Sequence, residues 1–402
     1  MTIAYLTDVE GQWPKVESFC RDNPLVRLEG DRLELADGAR FVFGGDAIDR
    51  GPHARRVVAC LTDARERYGE RVVLLAGNRD LNKLRLRREL GGHPSERAPE
   101  DVRGDRVALL RWTFERTMGA PDAFEHRRAE LGDASDEDVV ESYLADVAND
   151  GALTRYLRLC TLAHRDGPTL FTHGGVGEES LCTVPSPDGP RVVRDLDAWI
   201  AELDLWYRGQ LDAYAASAVE PDGAPGWEAI IDYQRPAPGR RGNPRSVVYS
   251  CLSDPSNDPF LPSAPAIDRM RAAGVERLVV GHTPSGDTPS VLRDPDRGFT
   301  LIIADNNYGR VESASRVAIE PDAVHIDGVA VLDDDRRCDV SFTLVTGEPT
   351  PVGLRVGDGP LVKAPLGADA YLTLRYLPRY ELQQRALPAH ALRDLTPPYE
   401  RT

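Results

Sequence analysis

Six residues with metal-ligating side chains stand within three residues of the end of a short apolar run: Asp8, Asp46, Asn78, His173, His282 and Asp305. Three further carboxylates follow closely, Glu10 after Asp8, Asp49 after Asp46 and Asp80 after Asn78. Carboxylates, an amide oxygen and imidazoles are the donors that hard and borderline divalent cations prefer. A two-metal hydrolase needs such donors converging from several strands, one carboxylate to bridge the ions, and a cationic group to hold the phosphate. Arg50 and Arg79 offer guanidinium forks whose geometry matches phosphate oxygens. Hydrolysis of a phosphate ester is the chemistry that these types, taken together, suggest.

The elements that must position them are legible as β-branched and apolar runs. Ile3–Leu6, Arg40–Phe43, Arg71–Leu75, Thr169–Thr172, Arg277–Val280 and Phe299–Ala304 predict buried strands. Most lead into glycine next to a candidate ligand, as in Gly44-Gly45-Asp46, Gly77-Asn78, His173-Gly174-Gly175 and Gly281-His282. Glycine permits the sharp turns and close backbone approach that a site at strand ends requires. Between the early strands, Pro14–Cys20 and Ala54–Arg67 carry apolar residues at helical spacing.

Asp46-Ala47-Ile48-Asp49-Arg50-Gly51, preceded by Gly45, resembles the GDxxDRG motif of the calcineurin-like metallophosphoesterases, especially their serine/threonine phosphoprotein-phosphatase branch. Gly77-Asn78-Arg79-Asp80 is similar to that family's GNH followed by Glu or Asp, His173-Gly174-Gly175 to its HGG, and Gly281-His282-Thr283-Pro284 to its GHTP. Asp8-Val9-Glu10-Gly11 sits where the family has DxHG. The resemblance implies an α/β fold in which a two-sheet β-sandwich is flanked by helices and carries inserted helical caps. It implies two divalent ions, with manganese the first expectation and Mg, Fe, Zn or Ni the others. Asp8 would bind the first ion and Asp46 would bridge both. Asn78, His173 and His282 would complete the coordination, mostly at the second ion. Arg50 would grip a phosphate oxygen, and a metal-bridging hydroxide would attack phosphorus in line.

Two residues depart from that pattern. Glu10 replaces a metal-binding histidine; as a ligand it would harden the site and favour Mn²⁺, Mg²⁺ or Ca²⁺-like ions, and otherwise it supports or solvates the site from outside it. Arg79 replaces the histidine that would protonate the leaving group. Arginine gives up no proton at working pH, so Arg79 is read as stabilising phosphate charge, oriented by Asp80, with a salt bridge to Asp80 or Asp49 as the plainer role. Asp49, Arg79 and Asp80 are thus the catalytic candidates, and Arg50, Arg79 and Asn78 the phosphate-binding ones. The missing acid favours good leaving groups or a donor from elsewhere, such as His53 or an insert. Taken singly, Asp8 and Asp46 would be turn or cap residues, and Asp305 either contributes to the pocket or forms an Asx turn. His93, His126, His164, His325 and His390 have no motif context.

Two segments interrupt the strand–helix alternation. Residues 84–166 are rich in Arg, Glu, Leu and Ala, with helices expected at Arg106–Met118 and Asp136–Leu159. Residues 185–244 contain a helix at Arg194–Ala216 followed by a stretch rich in Pro, Gly and Arg. Both are expected to be helical caps over the strand ends. The stripe of Trp199, Trp206 and Tyr207 fits helix core better than a stacking platform. Residues 309–402 are expected to complete the second sheet through strands at Arg316–Ile319, Ala323–Ile326, Val340–Val345 and Tyr371–Tyr376, with Leu377–Thr402 as a tail. The 402 residues are expected to form a single metallophosphoesterase domain.

A net charge of −16 argues against broad nucleic-acid or anionic-lipid binding. No apolar run is long enough to span a membrane and the first residues do not read as a signal peptide, so a cytoplasmic location is expected. The six scattered cysteines suggest neither a disulfide framework nor a zinc site. The substrate expected is a small phosphomonoester, metabolite or nucleotide. A phosphoprotein or a phosphodiester is the alternative within the class. Outside it stand a phosphate-binding pseudo-enzyme and a non-hydrolytic phosphate-eliminating enzyme. The sequence leaves oligomeric state open.

Overall fold

The structure is a computed structural model that describes residues 2–132, 134–217, 226–306 and 314–399. Two sheets face one another. The first has seven strands in the order Arg337–Val345, Ala323–Val331, Arg316–Ile319, Ile3–Leu6, Arg40–Phe43, Val72–Leu75 and Cys160–Thr161. Its half from Ile3 to Thr161 is parallel, and its C-terminal half is antiparallel. The second has five strands in the order Ser290–Asp294, Phe299–Ile303, Arg277–Val280, Thr169–Thr172 and Ala163–Asp166. Alternation along each strand divides the apolar residues between two layers. Ile3, Tyr5, Val42, Val73 and Leu75 meet Phe171, Val279, Val291 and Ile302 between the sheets. Ala4, Leu6, Phe41 and Phe43 face outward onto the helices, among them Ala54–Tyr68 and Ala152–Leu159. Being apolar on both faces is what makes these strands read as continuous hydrophobic runs.

All six predicted strands are present, with ends shifted by one residue at most. The C-terminal expectation is corrected. Residues 316–345 extend the first sheet, because Ile319, Ala318 and Val317 pair antiparallel with Ile3, Ala4 and Tyr5. Residues 355–396 build a third, five-stranded sheet that packs on the edge of the first through Ala330, Leu332, Val340, Ala364 and Leu372. The expected tail therefore contains the strand Glu381–Pro388, paired along its length with Ala370–Leu377.

The two interruptions differ. Residues 86–143 form helices around their own small core, including Leu86, Leu110, Phe114, Phe124, Val140 and Tyr143. Gly151 breaks the expected helix at 136–159 into Asp136–Asp146 and Ala152–Leu159, and the second piece joins the main core through Tyr156 and Leu157. The helix Leu196–Ser217 is not a cap either: Trp199, Leu203, Tyr207, Leu211 and Tyr214 are buried in the main core. Trp206 is half-buried and packs edge-on against Tyr233. No helix among the described residues is long and apolar enough to cross a membrane.

Candidate metal centre

The ends of Ile3–Leu6, Arg40–Phe43 and Val72–Leu75 in the first sheet, and of Thr169–Thr172 and Arg277–Val280 in the second, converge on one place. The turns there are tight. Asp8, Glu10, Asp46, Asp49 and His282 all hold left-handed φ, at 50°, 49°, 55°, 136° and 68°, a conformation that costs non-glycine residues energy and that clusters at functional sites. Gly77 and Gly281 are there for closeness, since a Cβ on the first would collide with Asp46 and on the second with Asp8.

Asp8, Asp46 and His173 are buried and bring one donor atom each within 4.8 Å of one another. The Asn78 Oδ1 lies 3.1 Å from His173 Nε2 and 2.8 Å from His282 Nδ1. His173 Nε2 also lies 3.3 Å from Asp46 Oδ1, while its Nδ1 meets the Gly44 carbonyl at 2.8 Å. An oxygen-and-imidazole donor set of this kind fits a divalent first-row cation. The backbone contact on the far nitrogen of His173 fixes the ring with Nε2 toward the centre. Burial alone would raise Asp46, but His173 and Arg79 outweigh it and hold the carboxyl at about 2. Burial lifts Asp8 to about 7, against the pull of His173. Burial would lower His173, yet Asp46 and Asp8 hold the imidazole at about 10. His282 is driven down to about 3 by burial and by His173.

Of the sequence-derived candidates, Asp8, Asp46, Asn78, His173 and His282 therefore meet. Glu10 comes to the same place but is not turned to the donor cluster. Its Oε1 lies 2.7 Å from Arg79 Nε, and its Oε2 lies 3.5 Å from Arg50 Nη1. Arg79 also reaches Asp46 Oδ2 at 3.5 Å and Asp49 Oδ2 at 3.2 Å, and donates to the Met118 carbonyl at 3.1 Å. Asp49 lies off the cavity wall, between Arg79 and Lys83, whose Nζ is 2.7 Å from its other oxygen. Asp80 does not orient the Arg79 side chain. It accepts from the backbone N–H groups of Asp46, Ala47 and Gly77 at 3.0, 2.9 and 3.0 Å, and so locks two of the ligand turns together. His53 precedes the helix Ala54–Tyr68 and lies off the cavity wall.

A cavity of about 200 Å³ opens on the centre, with Glu10, Asp46, Asn78, Arg79, His282 and Arg50 in its wall. Arg241, Tyr249, Cys251 and Asp305 complete much of the rest. Arg241 and Tyr249 were not singled out in the sequence; Arg241 lies in the stretch rich in Pro, Gly and Arg that follows the helix predicted at Arg194–Ala216, and Tyr249 lies just beyond that insert. The Tyr249 ring packs edge-on against His282, 4.7 Å between centroids. A larger cleft of about 860 Å³ adjoins it, sharing Asn78, Arg79 and Tyr249 and bounded by Arg85, Arg88, Arg97 and Arg235. Two lysines missed in the sequence also serve the site: Lys83 binds Asp49, and Lys15 donates to the Asp8 carbonyl at 2.8 Å.

No family model and no curated protein matches the chain. Among solved structures it is similar to a cold-active protein-tyrosine phosphatase of a psychrophilic Shewanella species, at 15% identity over 84% of this chain and 80% of that one, with a TM-score of 0.45. It is also similar to a protein serine/threonine phosphatase from Saccharomyces cerevisiae with similarity to human phosphatase PP5, at 12% identity over 80% and 73% of the two chains and a TM-score of 0.37. A metallophosphoesterase from Sphaerobacter thermophilus aligns at 12% identity over 86% and 88%, with a TM-score of 0.34.

Proposed function

We propose that the protein hydrolyses a phosphate monoester, of a small metabolite or nucleotide, at a divalent metal centre formed by Asp8, Asp46, Asn78, His173 and His282. The observation that carries this reading is the convergence of those donors from both sheets on a cavity whose wall also holds Arg50, Arg79 and Arg241. A divalent ion bound there supplies Lewis acidity toward a phosphoryl oxygen and acidifies water. The chain's own residues do the rest. Asp46 and His173 hold the ion's place, and Asp80 fixes the turns that carry Asp46 and Asn78. Arg79 and Arg50 balance phosphoryl charge as fixed cations on the cavity wall. Water adds to phosphorus, the bond to the ester oxygen breaks, and the products are an alcohol and inorganic phosphate. The adjoining cleft offers the alcohol portion room beside Asn78 and Tyr249. A second reading, a phosphate-binding protein without turnover, draws on the ion pair between Glu10 and Arg79.

The test is hydrolysis of an activated aryl phosphate by metal-stripped protein, with Mn²⁺, Mg²⁺, Ni²⁺ or Zn²⁺ restored, beside the Asp46→Asn variant. Metal-dependent turnover that the variant loses supports the hydrolase. Tight metal and phosphate binding without turnover on mono- or diesters would replace it with the binding protein.

A further inference from the structure

We infer that the centre holds one divalent ion, not two, and that the Arg79 guanidinium stands as its second cation. The inference rests on the metal-centre reading above and specifies its composition. Two ions would need two donor sets. The first is present: Asp8, Asp46 and His173 are the one group of three His, Cys, Asp or Glu side chains gathered within 4.8 Å among the described residues, and Asn78 and His282 add their donors beside it.

The second set would have to come from Asp8, Glu10 and the other oxygen of Asp46. Asp8 already serves the first set, and the other two face Arg79. Glu10 Oε1 is 2.7 Å from Arg79 Nε, and the same nitrogen is 3.5 Å from Asp46 Oδ2. Asp8 Oδ2 accepts from the Thr7 hydroxyl at 2.6 Å and from the His282 backbone N–H at 3.1 Å, and its Oδ1 lies 3.2 Å from that N–H. Arg79 is held in this position by further contacts to Asp49 and to the Met118 carbonyl. Its side chain is 14% exposed. A guanidinium stays charged at any working pH, so a second dication beside Glu10 and Asp46 would meet a fixed positive charge across the very carboxylates it needs. The Arg79 side chain, besides meeting these carboxylates, lines the cavity itself. The guanidinium therefore presents its charge to a phosphoryl oxygen, the charge-neutralising part a second ion would play.

The experiment is metal content at equilibrium. Metal-stripped full-length protein is dialysed against Mn²⁺ and the bound metal is measured by elemental analysis, with the electron paramagnetic resonance spectrum as the second readout. The wild type is expected to bind one ion per chain and to give the hyperfine pattern of an isolated Mn²⁺. Arg79→Ala, which frees Glu10 and Asp46, is expected to bind two and to show spin coupling. Glu10→Gln keeps the stoichiometry at one and the affinity within a few-fold, and it serves if Arg79→Ala fails to fold. Two coupled ions in the wild type would overturn the inference, as would a folded Arg79→Ala that still binds one. A Glu10→Gln variant with affinity reduced by tenfold or more would overturn it by making Glu10 a ligand. A wild type that binds no metal removes the metal-centre reading itself, an outcome distinct from these.

Discussion

Arg79 Nε and Glu10 Oε1 lie 2.7 Å apart, and both residues occupy positions where the resembled family has histidine. The two departures are one feature. A lone arginine at Arg79 would place a permanent charge against the metal ligands, and a lone carboxylate at Glu10 would add to an already negative pocket. Paired, each offsets the other's burial cost, which an isolated buried charge does not recover. Burial opposes the charge on Arg79, but Glu10, Asp46 and Asp49 raise its pKa still further. The guanidinium is therefore a permanent cation on the cavity wall and has no proton to give.

Loss of that proton donor predicts steep dependence on the leaving group. General acid catalysis contributes about 10²–10⁴-fold, so alkyl phosphates are expected to turn over roughly 100-fold or more slower than activated aryl phosphates of equal size. The measurement is log kcat/KM against leaving-group pKa across a series of aryl and alkyl esters. A shallow slope would refute the prediction. If that slope then steepened in Tyr249→Phe, the hydroxyl on the cavity wall would be the donor.

Asp80→Ala should act through stability and metal affinity together. The carboxylate satisfies three backbone amides, of Asp46, Ala47 and Gly77, in a fully buried place. Each buried amide left without a partner costs about 1–3 kcal/mol, so about 3 kcal/mol or more is expected in urea unfolding of the metal-free protein. Asp80→Asn, which keeps the shape and one acceptor oxygen, should lose less. Equal stability of Asp80→Ala and wild type would contradict the role.

The strands and the candidate ligands beside them were legible because both obey local rules: a continuous apolar, β-branched run marks a strand buried on both faces, and glycine marks the turn beside the candidate ligand. Residues 316–345 were recognisable as strands, but which sheet they join is decided by pairing with Ile3–Tyr5, hundreds of residues away, and no local pattern encodes that. The role of Asp80 was misread because its partners are backbone N–H groups, which leave no trace in side-chain identity. Lysine offered a signal that went unused. Arg supplies nearly all the positive charge, and the chain's lysines, Lys15, Lys83 and Lys363, are all buried, at 7%, 1% and 0% exposure.

Lys363 gives a prediction on pH. Burial pushes its pKa down to about 7, only partly opposed by Asp287. It donates to the Ser285 carbonyl, in the loop that follows His282. The folded pKa lies below the unfolded one, so between about pH 7 and 10 the unfolded chain binds the extra proton and this residue makes stability rise with pH. The slope from one proton is at most about 1.4 kcal/mol per pH unit. Urea unfolding from pH 7 to 9.5 should show that rise, and Lys363→Met should flatten it. An unchanged profile in the variant would assign the rise elsewhere.

Metal binding should expel a proton from His173. Asp46 and Asp8 hold the metal-free imidazole near pKa 10, and a ligand nitrogen must be unprotonated. Below that pKa the ion competes with the proton, so affinity rises about tenfold per pH unit, and the rise ends only as pH passes through about 10. An unperturbed histidine would end it near 6.5. At pH 8.5 Asp8, held at about 7, is already mostly ionised, and the proton released is mainly that of His173. Titration calorimetry with Mn²⁺ in two buffers of different ionisation enthalpy should give about one proton per ion bound. Affinity already flat between pH 7.5 and 9, with no proton released, would mean that His173 is neutral before the metal arrives.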